Sequence, residues 1–236
     1  MSTQTTTAQS PQFPNQETSG AQKIIQLIVR LRIPLIGIAA AVFVAVIIGF
    51  ITQHISSNNE AEAAVLASDM QQSYYRWLQS YSDDEKANYL EQFTQYFEKA
   101  TNEFSDSYTG RLAIFLQGNI AYEQGDFPKA AESFEQLLND NTGDHFASLA
   151  GINAALAYEE EGNTEKAIQT YEKITQEFDA SCPEVPRALF SLGRLNESID
   201  TEQAMQWYQQ ITNGYPESDW TNLAENRMLF LQSYTE

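Results

Sequence analysis

The sequence predicts an all-α protein in which one N-terminal transmembrane helix precedes a stack of antiparallel helical hairpins. The first observation behind this prediction is an uncharged run of 19 residues, 33–51, which is long enough to cross a bilayer. The second is a spacing of 37 residues that recurs in the second half of the chain and carries the periodicity of a helix. The third is that no sustained stretch alternates apolar and polar residues as a half-buried strand would.

The composition excludes several classes of function. The chain has 236 residues, with 13 Lys and Arg against 32 Asp and Glu, so its formal net charge is −19. A general nucleic-acid binder needs a basic surface, and this class is therefore excluded. A single cysteine excludes a disulfide framework and a Cys-ligated zinc site, and only two histidines are present. The sequence contains no catalytic or nucleotide-binding motif, and we expect no cofactor and no metal site.

The N-terminal region predicts a tail followed by a membrane anchor. Residues 1–22 are rich in Ser, Thr and Gln with one charge, which is typical of a disordered tail. Residues 23–51 predict an interfacial segment and a signal anchor, whose apolar core at residues 33–51 spans roughly 28 Å. A cleaved signal peptide is the alternative, but its apolar core is normally shorter, about 7–15 residues.

Basic residues predict the orientation of this anchor. Lys23, Arg30 and Arg32 lie on its N-terminal side, whereas residues 52–75 contain no Lys or Arg. Because basic flanks stay on the cytoplasmic side, we expect the tail in the cytoplasm and the C-terminal domain on the far side of the membrane. The exported part, residues 52–236, has 10 basic and 31 acidic residues and a formal net charge of −21.

The repeat predicts helical hairpins. Its three columns of small, aromatic and aliphatic residues are Ala130, Ala167, Ala204; Phe134, Tyr171, Tyr208; and Leu137, Ile174, Ile211. In each repeat these residues stand at positions 0, +4 and +7, which places them on one face of a helix. A fourth column of Asp126, Asn163 and Asp200 supplies an N-cap acceptor before each of these helices. Gly125 and Gly162 mark the end of the preceding helix.

These signals predict a repeat domain over residues 60–236, behind a linker at residues 52–59. The expected elements are hairpins at about 60–107, 108–144, 145–181 and 182–218 and a capping helix at 219–232. Ser82 and Glu85 predict a capping box at the second helix of the first hairpin. The buried stripe expected on the capping helix consists of Leu223, Ala224, Met228 and Leu231.

The same positions carry a family resemblance. The first clear unit contributes Gly118, Tyr122, Gly125, Ala130, Phe134 and Leu137. The second contributes Tyr158, Gly162, Ala167, Tyr171 and Ile174, and the third Leu192, Gly193, Ala204, Tyr208, Ile211 and Pro216. These residues resemble tetratricopeptide repeats (TPR). The resemblance implies a right-handed superhelix of antiparallel hairpins that binds proteins or peptides and is not an enzyme.

Within that superfamily, the tail, the single anchor and the acidic exported repeats resemble the YfgM-like family, an ancillary subunit of the bacterial Sec translocon. This implies an inner-membrane protein whose periplasmic domain is a scaffold for envelope proteins or chaperones near the secretion translocon. Segment 215–218 is also similar to other bacterial envelope TPR proteins, so an envelope-assembly or cell-division adaptor is the alternative. A mitochondrial import receptor and an enzyme with an unrecognised site are remote alternatives.

The resemblance also implies a peptide-binding groove, lined by fixed positions in the first helix of each hairpin. These positions are Leu112, Phe115, Asn119, Tyr122, Glu123, Leu149, Ile152, Leu156, Glu159, Glu160, Arg187, Phe190, Arg194, Glu197 and Ser198. Packing between repeats is the alternative role for Leu149, Ile152 and Phe190. Phe115 stands where a carboxylate clamp needs Lys, and the domain is acidic. We therefore expect a neutral, apolar or basic partner rather than an acidic one.

Overall fold

The computed structural model describes residues 59–140 and 145–235, and the regular structure within these ranges is entirely α-helical. The nine helices described are α1 (residues 59–79), α2 (Asp83–Glu103), α3 (Tyr108–Glu123), α4 (Phe127–Asn139), α5 (His145–Glu160), α6 (Thr164–Glu177), α7 (Glu184–Asn196), α8 (Thr201–Gly214) and α9 (Asp219–Thr235). The described helices after Asn59 belong to one compact unit. The predicted all-α class is confirmed for this part of the chain.

The predicted membrane segment is not among the described residues. The tail, the anchor with Lys23, Arg30 and Arg32, and the linker up to residue 58 all lie outside them. Among the helices that the structure does describe, none combines the length and the apolar character that crossing a bilayer requires. The anchor and its orientation therefore stay predictions.

The helices pack in chain order. From α2 to α9, each helix contacts the next one along the chain. The first helices of successive hairpins, α3, α5, α7 and α9, also form a row in which each contacts its neighbour. This is the packing of stacked hairpins, in which every unit buries its apolar face on the adjacent units. The predicted hairpin architecture is confirmed, and the handedness of the superhelix stays a prediction.

The second helices of the hairpins turn their three repeated columns inward. All nine members of the alanine, aromatic and aliphatic columns are at most 2 % exposed. Glycine on the partner helix permits this approach: a Cβ at Gly118 would lie 2.6 Å from the ring of Phe134. A Cβ at Gly193 would lie 2.5 Å from the ring of Tyr208. Ring and backbone are thus in direct contact, and neither glycine position accepts a larger residue without a shift.

In the turn between α3 and α4, one residue, Asp126, takes part in both the end of α3 and the start of α4. Gly125 has a φ of 76°, and its N–H donates to the carbonyl of Tyr122 at 2.9 Å. The Asp126 N–H donates to the carbonyl of Ala121 at 2.9 Å, which completes a Schellman motif. The Asp126 carboxylate also accepts the N–H of Lys129 at 3.3 Å, as an N-cap does. The predicted cap is therefore confirmed here.

The next two turns repeat this device in part. Gly162 has a φ of 79°, and the Asn163 side chain caps α6 by accepting the N–H of Lys166 at 3.3 Å. Asp200 caps α8 by accepting the N–H of Gln203 at 3.0 Å, without a preceding glycine. The whole Asp/Asn/Asp column thus caps helices, as predicted from its spacing.

Two sequence predictions about the terminal helices are wrong. Ser82 is the N-cap residue of α2, but its side chain makes no capping hydrogen bond. The residue is exposed, and in an exposed first turn water can satisfy the N–H groups instead of a side chain. On α9, Leu223 is 47 % exposed while Ala224 is fully buried. The two residues are about 100° apart around the helix, so the buried stripe runs through Ala224 and excludes Leu223.

The core consists of two clusters that share α3. The first joins α1, α2 and one side of α3 around Met70, Phe93 and Leu116. The second extends from Ala121 through the remaining helices to α9. The hydroxyl of Thr109 donates to the carbonyl of Ala63 at 2.9 Å and ties α3 to α1. Helix α3 therefore links the two aromatic-rich clusters and faces both.

Candidate functional site

A repeated polar contact closes the junction after the hairpin α5–α6. The hydroxyl of Tyr171 on α6 donates to Oε1 of Glu159 at 2.9 Å. Nη2 of Arg194 on α7 donates to Oε1 and Oε2 of the same carboxylate at 2.7 and 2.6 Å. One carboxylate thus joins three helices, and we refer to Tyr171, Glu159 and Arg194 as the first clasp.

The second clasp consists of Tyr208, Glu197 and Arg227 and closes the junction after the hairpin α7–α8. The Tyr208 hydroxyl donates to Oε1 of Glu197 at 2.6 Å, and Nε of Arg227 donates to the same oxygen at 2.8 Å. Burial opposes ionisation of Glu197, but hydrogen bonds from Arg227 and Tyr208 hold its pKa below the usual range. Burial and the Glu197 carboxylate raise the pKa of Tyr208, so the phenol remains a donor at neutral pH.

The junction after the hairpin α3–α4 has no clasp. Phe134 stands 37 residues before Tyr171, and Tyr122 stands 37 residues before Glu159. Leu156 takes the place that Arg194 has in the next repeat. The phenol, the carboxylate and the guanidinium of the first clasp are thus replaced by the ring of Phe134, the ring of Tyr122 and the aliphatic side chain of Leu156. A cavity of about 200 Å³ lies at this position, and its lining residues, which we name the notch, are Asn119, Tyr122, Phe134, Asn153 and Leu156.

The floor and walls of the notch are held by aromatic packing. Phe134 is 1 % exposed, and its ring meets the ring of Phe115 edge-on at 5.6 Å between centroids. The ring of Tyr122 packs edge-on against Phe127 at 5.3 Å. The volume is below the roughly 300–1,000 Å³ of small-molecule sites, so it suits one large side chain better than a cofactor.

The mouth of the notch is acidic. Burial raises the pKa of the Tyr122 phenol, and the carboxylates of Glu160, Glu123 and Glu159 raise it further, so all three act on its hydroxyl. Helices α3 and α5 end at Glu123 and Glu160, and neither has a basic residue in its last turn. The negative ends of two helix dipoles therefore add to the negative charge of the carboxylates.

The structure brings three predicted groove residues together in the notch: Asn119, Tyr122 and Leu156. It places two others in the cores, since Leu112 is 4 % exposed and Ile152 is fully buried. Their side chains point between helices rather than to a surface, so they do not line a groove. For Ile152, packing between repeats was the alternative interpretation, and its burial agrees with that alternative.

Phe115 and Phe190 are half-buried in aromatic clusters that join successive hairpins. The ring of Phe115 contacts the ring of Phe146 on the next hairpin at 5.7 Å. Phe190 lies between Tyr208 at 5.4 Å and Trp220 at 5.1 Å. Both rings are therefore held in place by contacts with neighbouring aromatic side chains of the protein itself.

The remaining groove candidates are dispersed. Glu159, Arg194 and Glu197 belong to the clasps. Besides Phe115 and Phe190, the half-buried candidates outside the notch and the clasps are Leu149 and Arg187, and the exposed ones are Glu123, Glu160 and Ser198. Of the exposed three, the two glutamates end α3 and α5 and contribute to the acidic mouth.

Sequence reasoning missed Asn153, which lines the notch opposite α3. A signal was available in its neighbours, because α5 is otherwise apolar from Leu149 to Tyr158. Asparagine is a poor residue for the interior of a helix, so its presence there indicates a specific polar contact or an exposed site.

A larger cleft of about 630 Å³ lies between the loops that precede α7 and α9. Cys182 and Trp220 line it, and it contains none of the predicted groove residues. Burial raises the pKa of the Cys182 thiol, so a reactive thiolate is not favoured at neutral pH. Within the described ranges, no group of three or more His, Cys, Asp or Glu residues is placed to hold a metal ion.

Comparisons with known proteins identify the repeat family. A family model described as a tetratricopeptide repeat-like domain matches residues 34–198, and one described as a tetratricopeptide repeat matches residues 187–218. No curated protein matches the chain. Proteins built from these repeats are typically non-catalytic scaffolds for protein interaction, and neither match is to an enzyme family. Since the first match covers more than half of the sequence, the chain belongs to the family of tetratricopeptide repeat-like domains.

Proposed function

We propose that this chain is a single-pass inner-membrane scaffold whose exported repeat domain binds envelope proteins or chaperones near the protein-secretion translocon, as a YfgM-like protein. The apolar run at residues 33–51 is the anchor in this proposal, and Lys23, Arg30 and Arg32 keep the tail in the cytoplasm. The anchor confines the repeat domain to the membrane surface, which raises its effective concentration near membrane-bound partners.

The observation that supports a binding role is the open notch. The two equivalent junctions farther along the chain are closed by clasps. Both clasps fill the equivalent junction with the protein's own side chains. At the first junction an apolar cavity remains, lined by Phe134 and Leu156. An unfilled apolar cavity costs packing free energy, so an incoming side chain that fills it gains that energy on binding.

The polar groups of the notch favour a peptide as the partner. Asn119 on α3 and Asn153 on α5 line the cavity beside its apolar floor. Each amide carries both donors and an acceptor, so the pair can hydrogen-bond with polar side chains that flank an apolar anchor in a bound segment. An apolar side chain in a cavity with polar contacts beside it is a pattern by which protein surfaces recognise helices.

Crosslinking in cells tests this function. A photoreactive residue at Asn119 or Asn153 faces the notch, and one at the exposed Gln206 on α8 is the control. We expect adducts to translocon subunits or periplasmic chaperones from the two notch positions and not from Gln206. Adducts to outer-membrane assembly or cell-division proteins would support the alternative adaptor role. Absence of notch-specific adducts would contradict the proposal.

A pair of C-terminal fusions tests the topology separately. Alkaline phosphatase is active only after export, whereas green fluorescent protein exported through the Sec route does not fluoresce. We expect an active phosphatase fusion and a dark fluorescent fusion. The reverse pattern would place the repeat domain in the cytoplasm and would contradict the orientation inferred from Lys23, Arg30 and Arg32.

A further inference from the structure

We propose that the notch recognises a protein segment in which one large apolar side chain lies a single helical turn from a Lys or Arg. The apolar side chain enters the cavity, and the cation lies at the acidic mouth between the ends of α3 and α5. This inference rests on the proposed function, because it specifies the chemistry of the partner at the same site.

The apolar part of the inference follows from the cavity itself. Phe134, Tyr122 and Leu156 supply most of its apolar wall, and its volume of about 200 Å³ is closed on one side by the buried ring of Phe134. Burying a Leu, Ile, Met or Phe side chain there stabilises a complex, because apolar surface is removed from water. A polar side chain entering the same space would lose its hydration without a matching gain.

The cationic part follows from the negative charge at the ends of α3 and α5. A helix C-terminus is stabilised by Lys, Arg or His in its last turn, because its carbonyls carry partial negative charge. Neither α3 nor α5 has a basic residue there. Both helices instead end in glutamate, Glu123 on α3 and Glu160 on α5, and both glutamates are exposed. A partner cation supplies the missing charge.

Of the three carboxylates at this mouth, one is in an ion pair, and Lys86 lines a neighbouring cavity together with Glu123. Glu159 is paired with Arg194, Nη2 to Oε2, at 2.6 Å. Glu123 and Glu160 make no ion pair with any residue in the part of the chain that the structure describes. Glu160 accepts a hydrogen bond from the Tyr122 hydroxyl, and neither Glu160 nor Glu123 is neutralised by an ion pair within the described ranges, so both can interact with a bound cation. The formal charge of −21 over residues 52–236 adds long-range attraction for a basic segment.

The distance between the notch and the acidic mouth determines the distance between the apolar side chain and the cation in the partner. Asn119 in the notch and Glu123 at the mouth are four residues apart on α3, which corresponds to about 6 Å along the helix axis. Side chains separated by three or four residues on a partner helix lie about 5–6 Å apart. An amphipathic helix with an apolar residue and a Lys or Arg at that spacing therefore fits both features at once.

Peptide binding to the full-length chain in detergent tests this proposal. Three fluorescent 15-residue helical peptides differ only at two positions separated by one turn: Leu with Lys, Leu with Glu, and Ser with Lys. We expect the Leu–Lys peptide to bind at least tenfold more tightly than either of the others by fluorescence anisotropy. Raising the salt concentration is expected to reduce its advantage over the Leu–Glu peptide, since the cation contact is screened.

Variants of the protein test whether the Lys of the peptide binds at the acidic mouth and whether the Leu enters the notch. Glu123→Gln with Glu160→Gln removes charge at exposed positions, and we expect the Leu–Lys peptide to bind at least fivefold more weakly. Glu132→Gln with Glu202→Gln is the matched control, because it removes the same charge from exposed positions on α4 and α8. Leu156→Arg fills the notch and is expected to abolish binding of both Leu peptides.

The possible outcomes separate this inference from the function on which it rests. Equal binding of the Leu–Lys and Leu–Glu peptides, with loss of both in Leu156→Arg, would overturn the requirement for a cation and leave the notch as the binding site. An equal loss of affinity in the two charge variants would also overturn it, since only net charge would then matter. Binding that Leu156→Arg does not weaken would overturn both the inference and the proposed site.

Discussion

The notch and the clasps are the same junction built with different side chains. In the clasps, a phenol, a carboxylate and a guanidinium join the helices of successive hairpins, as in Tyr171, Glu159 and Arg194. In the notch, the equivalent residues are Phe134, Tyr122 and Leu156, and they leave space. A repeat protein thus keeps its architecture through the shared columns and acquires a binding site where one repeat departs from the others.

The two kinds of junction also differ in what stabilises them. Each clasp carboxylate is 17 % exposed and receives charge-assisted hydrogen bonds, which contribute more than neutral ones. The open junction depends instead on the rings of Phe115, Phe134 and Phe146. Substitutions in the two places are therefore expected to differ in size and in their dependence on pH.

The largest effect on the unfolding free energy is expected from a substitution at the open junction. Phe134→Ala removes a ring that is 1 % exposed and forms the floor of the notch. A buried Phe→Ala substitution costs about 3–5 kcal/mol of unfolding free energy, because a cavity remains. Urea denaturation followed by circular dichroism measures it. A loss below about 1 kcal/mol would show that the aromatic packing does not stabilise this junction.

An intermediate effect is expected at a clasp. Glu197→Ala leaves the Tyr208 hydroxyl and the Arg227 guanidinium without their acceptor. We expect a loss of about 1–3 kcal/mol in the same denaturation experiment, since hydrogen bonds to charged groups are removed. Glu202→Ala on the exposed side of α8 is the control and should change the unfolding free energy little. Equal losses in both variants would mean that the clasp contributes nothing specific.

The second clasp also predicts that the stability of the fold depends on pH. The pKa of Glu197 is lower in the folded protein than its usual value, so the unfolded chain takes up the proton first as the pH falls. The clasp therefore stabilises the fold above the ordinary glutamate pKa of about 4.3 and loses this contribution in more acidic solution. Melting temperatures between pH 7 and 3 should fall more steeply for the natural chain than for Glu197→Gln. Parallel curves would contradict the assignment.

The smallest effect on stability is expected when a clasp is installed in the notch. The substitutions Tyr122→Glu, Phe134→Tyr and Leu156→Arg reproduce the first clasp at the open junction. We expect the unfolding free energy to change by no more than about 1 kcal/mol, because the cavity closes while buried charge is added. Crosslinking from Asn119 should disappear. Persistent crosslinks in the folded variant would separate partner binding from the notch.

The features that sequence could predict are those that repeat locally. The inward columns and the N-caps at Asp126, Asn163 and Asp200 recur every 37 residues, so spacing alone located them. The clasps were not predictable in this way, since Arg194 lies 35 residues after Glu159 but Arg227 lies 30 after Glu197. Their partners are set by how hairpins stack, not by a constant interval.

The groove positions also depend partly on the local repeat and partly on how the hairpins stack. Three of the five residues that line the notch, including Asn119, are among the positions that the resemblance implies. The resemblance also selected Leu112 and Ile152, whose burial depends on the neighbouring hairpin. Asn153 was missed because its position is not one of the family's groove positions. Which residues of a helix reach a surface is decided by tertiary packing, and a pattern within one repeat does not contain that information.

Asp126 takes part in both the end of α3 and the start of α4. Neither helix can therefore lengthen, shorten or rotate without disturbing its partner, so the pair behaves as one rigid hairpin. A residue inserted at this turn would disrupt both ends, whereas the connection 178–183 between α6 and α7 has no such shared residue. A change of length is therefore expected to disturb the packing less in that connection than at the turn that contains Asp126.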